Sequence, residues 1–147
     1  MQTITPFLWF DGKVEEAMNF YVSVFKNSKV TNVTPGPNGT VTSATFELDG
    51  QKFMALNGGP MFSFTPAISF FVNCDTQGEV DELWEKLSEG GKKERCGWLK
   101  DKYGLSWQVV PAILGKLLQD TDAEKSKRVL AAMLQMDKLD IEQLSHA

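Results

Sequence analysis

One pattern restricts this chain more than any other, because it occurs twice. A short apolar strand, an amphipathic helix and three further strands follow one another between Ile4 and Asn57. The same order returns between Ala67 and Val110. In the first copy Val14, Ala17, Met18 and Tyr21 recur at the spacing that puts side chains on one face of a helix. Val80, Leu83, Trp84 and Leu87 repeat that stripe at a constant offset of 66 residues. Identity between the halves is low, so the periodicity carries the inference of an internal βαβββ duplication.

Local signals mark the joints. Asp11 before the first stripe is an expected N-cap, and Thr76 with Glu79 forms a capping box before the second. Asp49-Gly50 lies between two alternating runs, Thr40 to Leu48 and Gln51 to Asn57, and predicts a tight hairpin. Pro35 to Gly39 predicts a loop, Gly58 to Pro66 a linker, and Asp101 to Gly104 a turn between the last two strands. Gly90-Gly91 stops the second helix. Beyond Pro111 the signal is helical. Ile113, Leu114, Leu117 and Leu118 form one stripe, Thr121 with Glu124 is expected to open a helix to about Met136, and Asp140 with Gln143 caps a last turn. The resulting expectation is an α+β fold: module one over 3–57, module two over 67–110 and a C-terminal helical extension over 111–147. Short helices this apolar must pack on the sheet or on a second subunit.

Several kinds of chemistry are excluded at this level. The only histidine, His146, is the second-last of 147 residues, which argues against histidine-based catalysis or a histidine-rich metal site in a folded core. Cys74 and Cys96 form neither a CxxC motif nor a disulfide framework. Cys74 ends a buried strand and reads as core, whereas Arg95 beside Cys96 is the one feature that favours a reactive thiol there. A net charge of −4 argues against nucleic acid as a partner, and the run Lys125 to Arg128 reads as a solvated helix face. No apolar stretch approaches the roughly 20 residues needed to span a membrane, and the first residues lack a basic, apolar leader. The expectation is a cytoplasmic protein without membrane or nucleic-acid partners.

Paired βαβββ modules resemble the vicinal-oxygen-chelate superfamily of glyoxalases, bleomycin-resistance proteins and extradiol dioxygenases. Pro6 to Phe10, Glu16-Ala17 with Phe20-Tyr21, Cys96 to Asp101 and Tyr103 to Pro111 are most similar to its PhnB-like group, often labelled 3-demethylubiquinone methyltransferase. The resemblance spans about residues 3 to 136. It implies two modules forming a curved mixed sheet that curls into a cup, and commonly a homodimer. In metal-using relatives four inward side chains hold a divalent ion. The matching positions here are Pro6, Ala55 with Asn57 nearby, Ala67 with Ser69 nearby, and Gln108. None is a carboxylate or an imidazole, so no metal cofactor is expected. Nor does either strand-to-helix turn offer the glycine-rich cradle of a Rossmann-like methyl-donor site.

Strand parity selects the side chains expected to line that cup, since alternate residues share a face. They are Pro6, Leu8, Phe10, Phe53, Ala55, Asn57, Ser69, Phe71, Ser106 and Gln108, with Trp98 near the rim. An apolar, aromatic surface with a few amides and hydroxyls suits a small molecule, and the same aromatics also suit a filled core. Gln108 stands out on a strand otherwise apolar from Leu105 to Val110, where either a ligand or a backbone or water partner must meet its amide. Trp9 and Trp107 have the opposite parity and are expected to pack behind the sheet against helices. The preferred expectation is a metal-independent binder of a small aromatic or amphipathic molecule, acting as a dimer. The alternatives are a superfamily enzyme with a non-standard metal site and a structural or regulatory dimer with a filled cup.

Overall fold

The computed structural model describes residues 3–147, which divide into two compact units with the boundary between residues 63 and 64. In the first unit β1 (Phe7–Phe10), α1 (Val14–Val24), β2 (Lys29–Pro35), β3 (Val41–Leu48) and β4 (Gln51–Asn57) build a four-stranded sheet in the order β1-β4-β3-β2. In the second, β5 (Ser69–Cys74), α2 (Gln77–Ser88), β6 (Lys92–Lys93), β7 (Trp98–Lys100) and β8 (Ser106–Pro111) give the order β5-β8-β7-β6. Each sheet pairs its first and last strands in parallel and the rest antiparallel. The identical topology is the structural form of the sequence repeat.

Module one is held by α1 on one face of its sheet. Val14, Ala17, Met18 and Tyr21 are all buried, as the stripe requires. Tyr21 stacks on Phe46 of β3 with centroids 6.4 Å apart, and Phe46 stacks on Phe53 of β4 at 5.6 Å and 8°. Such pairs contribute about 0.5–1.5 kcal/mol each beyond their buried area. The register Phe46↔Phe53 follows from the Asp49-Gly50 hairpin, whose φ angles of 48° and 81° are those of a type I′ turn. β2 is exposed along its length and bulges between Val30 and Asn32, which blunts it as an edge.

The helix start differs from the expected one. Lys13 occupies the N-cap and no side chain of the loop caps the helix, so Asp11 does not serve there. The cap comes from β4 instead. Asn57 Oδ1 accepts from the Val14 amide at 3.1 Å, while its Nδ2 donates to the Val41 carbonyl at 2.8 Å. One amide therefore ties α1 to two strands and satisfies an orphan helix donor from 43 residues away.

In module two the expected capping box is present: the Glu79 amide donates to Thr76 Oγ1 at 3.2 Å, and the Asp75 amide to Glu79 Oε2 at 3.0 Å. Val80, Trp84 and Leu87 are buried where α2 lies against β7 and β8, above the buried row Leu99, Trp107, Val109 and Cys74. Gly90, at φ 75°, ends the excursion, and a Cβ on Gly91 would collide with the Lys100 carbonyl. Asp101, 2% exposed, organises the β7–β8 turn. Its Oδ1 accepts from the Tyr103 and Leu105 amides at 2.9 and 3.1 Å, and its Oδ2 from Trp107 Nε1 at 2.9 Å.

The tail forms α3 (Ile113–Leu118), α4 (Ala123–Leu134) and α5 (Ile141–Ser145). Val110 at the end of β8 joins Leu114, Val129, Leu139 and Leu144 in a separate apolar cluster. Asp122, one residue past the expected Thr121, caps α4 by accepting from the Glu124 and Lys125 amides. Asp140 caps α5 as expected. Gln77 fastens the tail to α2: its Nε2 donates to the Leu139 carbonyl and to Asp81, and its Oε1 accepts from the Ile141 amide at 2.7 Å. That Gln77 hydrogen bond, with Lys138 close by, holds the Asp81 carboxyl below its usual range.

Candidate functional site

Each sheet has one face under its helix and one face away from it, and the candidate residues divide between these faces. In module one Leu8, Phe10, Phe53 and Ala55 are buried on the α1 side, in line with Ala44, Phe46 and Leu48. The expectation that they line the cup is corrected: they are the core beneath the helix. Asn57 shares their face and spends its amide on Val14 and Val41. The parity sets hold, but α1 covers the set expected to face away from the helices. Trp9 is displaced for the same reason. It lies away from α1, donates Nε1–H to the Gly59 carbonyl at 2.9 Å and meets Phe62 edge-on at 4.9 Å. Phe7, Met54 and Leu56 share that side with it.

In module two the expected face is the one away from α2. The pairings Ser69↔Ser106, Phe71↔Gln108 and Trp98↔Gln108 put Ser69, Phe71, Trp98, Ser106 and Gln108 on one side. Gln108 Nε2 donates to Ser69 Oγ at 3.0 Å, which fixes the amide across the parallel β5–β8 pair. The Gln108 carbonyl oxygen then remains as an acceptor. Ser106 is 0% exposed, and its hydroxyl has no hydrogen-bond partner among the described residues. A buried hydroxyl left unmet costs about 1–3 kcal/mol, so a partner is chemically called for. Phe71 beside them, on the edge strand β5, is 54% exposed. Trp107, on the opposite side, packs behind the sheet as expected, with Phe70 at 5.4 Å.

The remaining groups are occupied or inert. Burial pushes the Cys74 thiol up to about 11, with Glu79 and Asp75 adding to the effect. Cys96 Sγ lies 3.5 Å from the Met133 carbonyl, and the neighbouring amides of Cys96 and Gly97 bind the Met136 and Asp137 carbonyls. A shallow groove lined by Glu85, Lys86, Ser88, Glu89, Gly91 and Lys93 is crossed by the Lys93–Glu85 ion pair at 2.8 Å. Among the described residues no group of three or more His, Cys, Asp or Glu side chains could hold a metal ion. No described helix is long and apolar enough to cross a membrane.

Known proteins share this topology. The family described as 3-demethylubiquinone-9 3-methyltransferase matches residues 2–110, both βαβββ modules together. The chain belongs to that family. The PhnB protein from Bacillus cereus, which carries the same label, is 42% identical, with 76% of this chain and 100% of that one covered at a TM-score of 0.72. Protein PA1353 from Pseudomonas aeruginosa is 21% identical, covering 76% of this chain and 98% of that one at 0.65. The fosfomycin resistance protein FosX from Listeria monocytogenes, solved with Mn(II) and sulfate, shares the fold at 13% identity, with 73% and 89% covered and a TM-score of 0.55. No curated protein matches. A glyoxylase/bleomycin resistance protein/dioxygenase domain from Frankia shares the fold at 12% identity and a TM-score of 0.51, with 76% of this chain and 92% of that one covered, and this chain adds C-terminal helices to that fold.

Proposed function

We propose that this PhnB-like protein is a metal-independent binder of a small aromatic or amphipathic molecule, working as a homodimer in the cytoplasm. The ligand would lie on the α2-free face of module two. The observation that carries this reading is the Gln108–Ser69 hydrogen bond beside the unpartnered Ser106 hydroxyl, flanked by exposed Phe71. A fixed amide with a spare carbonyl oxygen, a hydroxyl in need of a partner and an accessible ring together suit a flat molecule with a polar end. The donor chemistry supports independence from metal. Of the positions that match the metal ligands of relatives, Pro6 and Ala55 carry no side-chain donor, Asn57 holds α1, and Gln108 is bound to Ser69. One or two neutral amides without a carboxylate beside them hold a divalent ion only weakly. The methyltransferase label of the family gains no support from these residues, because neither strand-to-helix turn carries a glycine-rich cradle.

Tryptophan quenching by a panel of aromatic ligands tests the reading. A binding aromatic ligand should lose about tenfold or more in affinity with Gln108→Leu, since one good polar contact corresponds to about 1.4 kcal/mol. Ser106→Ala should weaken ligands that carry a polar end and leave the fold intact. Stoichiometric metal in protein purified without chelator would overturn metal independence and favour an enzyme with a non-standard site. Quenching unchanged by Gln108→Leu would overturn the site.

A further inference from the structure

The α2-free face of module two sorts into two rows that run across its strands. One row is Phe71, Gln108 and Trp98, paired in register from β5 to β7. The other is Ser69, Ser106, Lys100 and Lys92, paired in register from β5 to β6. Two residues along a strand separate the rows, about 7 Å. Aromatic surface with one amide therefore lies beside a line of two hydroxyls and two ammonium groups.

The second row is more than a solvated edge. Lys92 stands on the edge strand β6, where a lysine guards against stray pairing, but Lys100 stands on the interior strand β7. The Asp101 amide donates to the Leu105 carbonyl, and the Val109 amide to the Gly97 carbonyl. Hydrogen-bonded pairs alternate along the ladder from these two, so Lys100↔Ser106 falls on a pair without such bonds, where opposing side chains come closest. The lysine thus stands against the fully buried hydroxyl that lacks a partner. Its own partner is Glu94 at 4.0 Å, the long limit of an ion pair, with both side chains partly exposed. Such a pair contributes little. Lys92 has no ion pair among the described residues, so two cations meet one carboxylate and one positive charge is left over.

We infer that the polar end of the ligand is a carboxylate, received by Lys100 and the Ser106 hydroxyl while its aromatic ring lies on Phe71 and Trp98. The inference rests on the ligand-binding reading above and narrows the ligand to an aromatic acid whose carboxylate stands a bond or two off the ring. One uncompensated positive charge matches a monoanion, and the lysine and the hydroxyl supply one donor for each carboxylate oxygen. The ligand takes the place of Glu94 on Lys100, and the swing of that long side chain opens the way to Ser106. A phosphate end fits less well, because it brings a charge of about −1.5 to −2 and three oxygens to be met.

Titration calorimetry of the full chain with three probes tests this: naphthylacetate, its neutral amide naphthylacetamide, and naphthyl phosphate. The acid should bind about tenfold or more tightly than the amide. Lys100→Met keeps the stem and removes the charge, so it should abolish that preference and leave the affinity for the amide unchanged. Glu94→Gln should tighten the acid by about two- to fivefold, a gain that lost packing does not imitate. A circular-dichroism melt checks that both variants keep the fold. Acid and amide bound alike, and both weakened by Gln108→Leu, would overturn the carboxylate and leave the ligand face standing. A preference untouched by Lys100→Met overturns the inference, since the charge would then lie elsewhere. Naphthyl phosphate bound more tightly than the acid would assign the polar end to phosphate and overturn it too. If neither these probes nor any other aromatic ligand binds, both readings fall.

Discussion

Replacing Asp101 by asparagine removes a single acceptor from a turn that uses every oxygen it has. With its remaining oxygen toward the Tyr103 and Leu105 amides, the new side chain presents an NH2 group to Trp107 Nε1–H, donor against donor. Rotating the amide satisfies the indole and strands the two backbone donors. Trp107 is 2% exposed and Leu105 3%, so water does not compensate the indole in one orientation or the Leu105 amide in the other. An unsatisfied buried donor costs about 1–3 kcal/mol, and weakening the surviving charge-assisted bonds adds about 1 kcal/mol. The expected loss is therefore about 2–4 kcal/mol, a large share of the roughly 5–15 kcal/mol available to a folded domain. Urea unfolding followed by far-ultraviolet circular dichroism measures it. The decisive arm is a double-mutant cycle with Trp107→Phe, which keeps the ring and deletes the indole donor. If the reasoning holds, Asp101→Asn is milder by about 1–3 kcal/mol in the phenylalanine background. A coupling below about 0.5 kcal/mol would show that the Oδ2–indole bond contributes nothing distinctive, and would refute the account.

Two further outcomes follow from other parts of the molecule. Cys74 should resist alkylation in the native state at pH 8 and react once unfolded, whereas fast native labelling would contradict its burial. Its thiol stays protonated when folded to about 11 against 9.0 when free. The unfolded chain therefore loses that proton first, and stability falls as pH rises between those values, by about 2–3 kcal/mol in total, relative to Cys74→Ala. Asn57→Asp keeps an acceptor for the Val14 amide but sets a carboxylate against the Val41 carbonyl. It should destabilise the protein by about 2 kcal/mol, with a thermal melt as the readout and an unchanged midpoint as the contrary result.

The duplicated order of elements was legible because it rests on periodicity, a local property. Val14 to Tyr21 and Val80 to Leu87 announce their helices, Asp49-Gly50 its turn, and Thr76 with Glu79 its cap, each through contacts within a few residues. The N-terminal cap of α1 was not legible, since its oxygen comes from Asn57 on another strand. The shift from Thr121 to Asp122 at α4 is a boundary detail of one residue, decided by which side chain reaches the free amides.

By itself, the sequence determined which residues share a strand face and which chemistry is missing from every face. It did not determine which face each helix covers, since alternation divides a strand into two sets without ranking them. In module two the ranking survives, because Ser106 and Gln108 are the polar set of β8 and Trp107 and Val109 the apolar one. In module one both sets of β1 are apolar, and the tertiary structure decided. A clue lay in the hairpin register, which pairs Glu47 with Lys52 on one side and Phe46 with Phe53 on the other. Charge on one side of a paired strand leaves the opposite side to the helix, and burial beneath α1 turned Leu8, Phe10 and Phe53 from a candidate surface into a core.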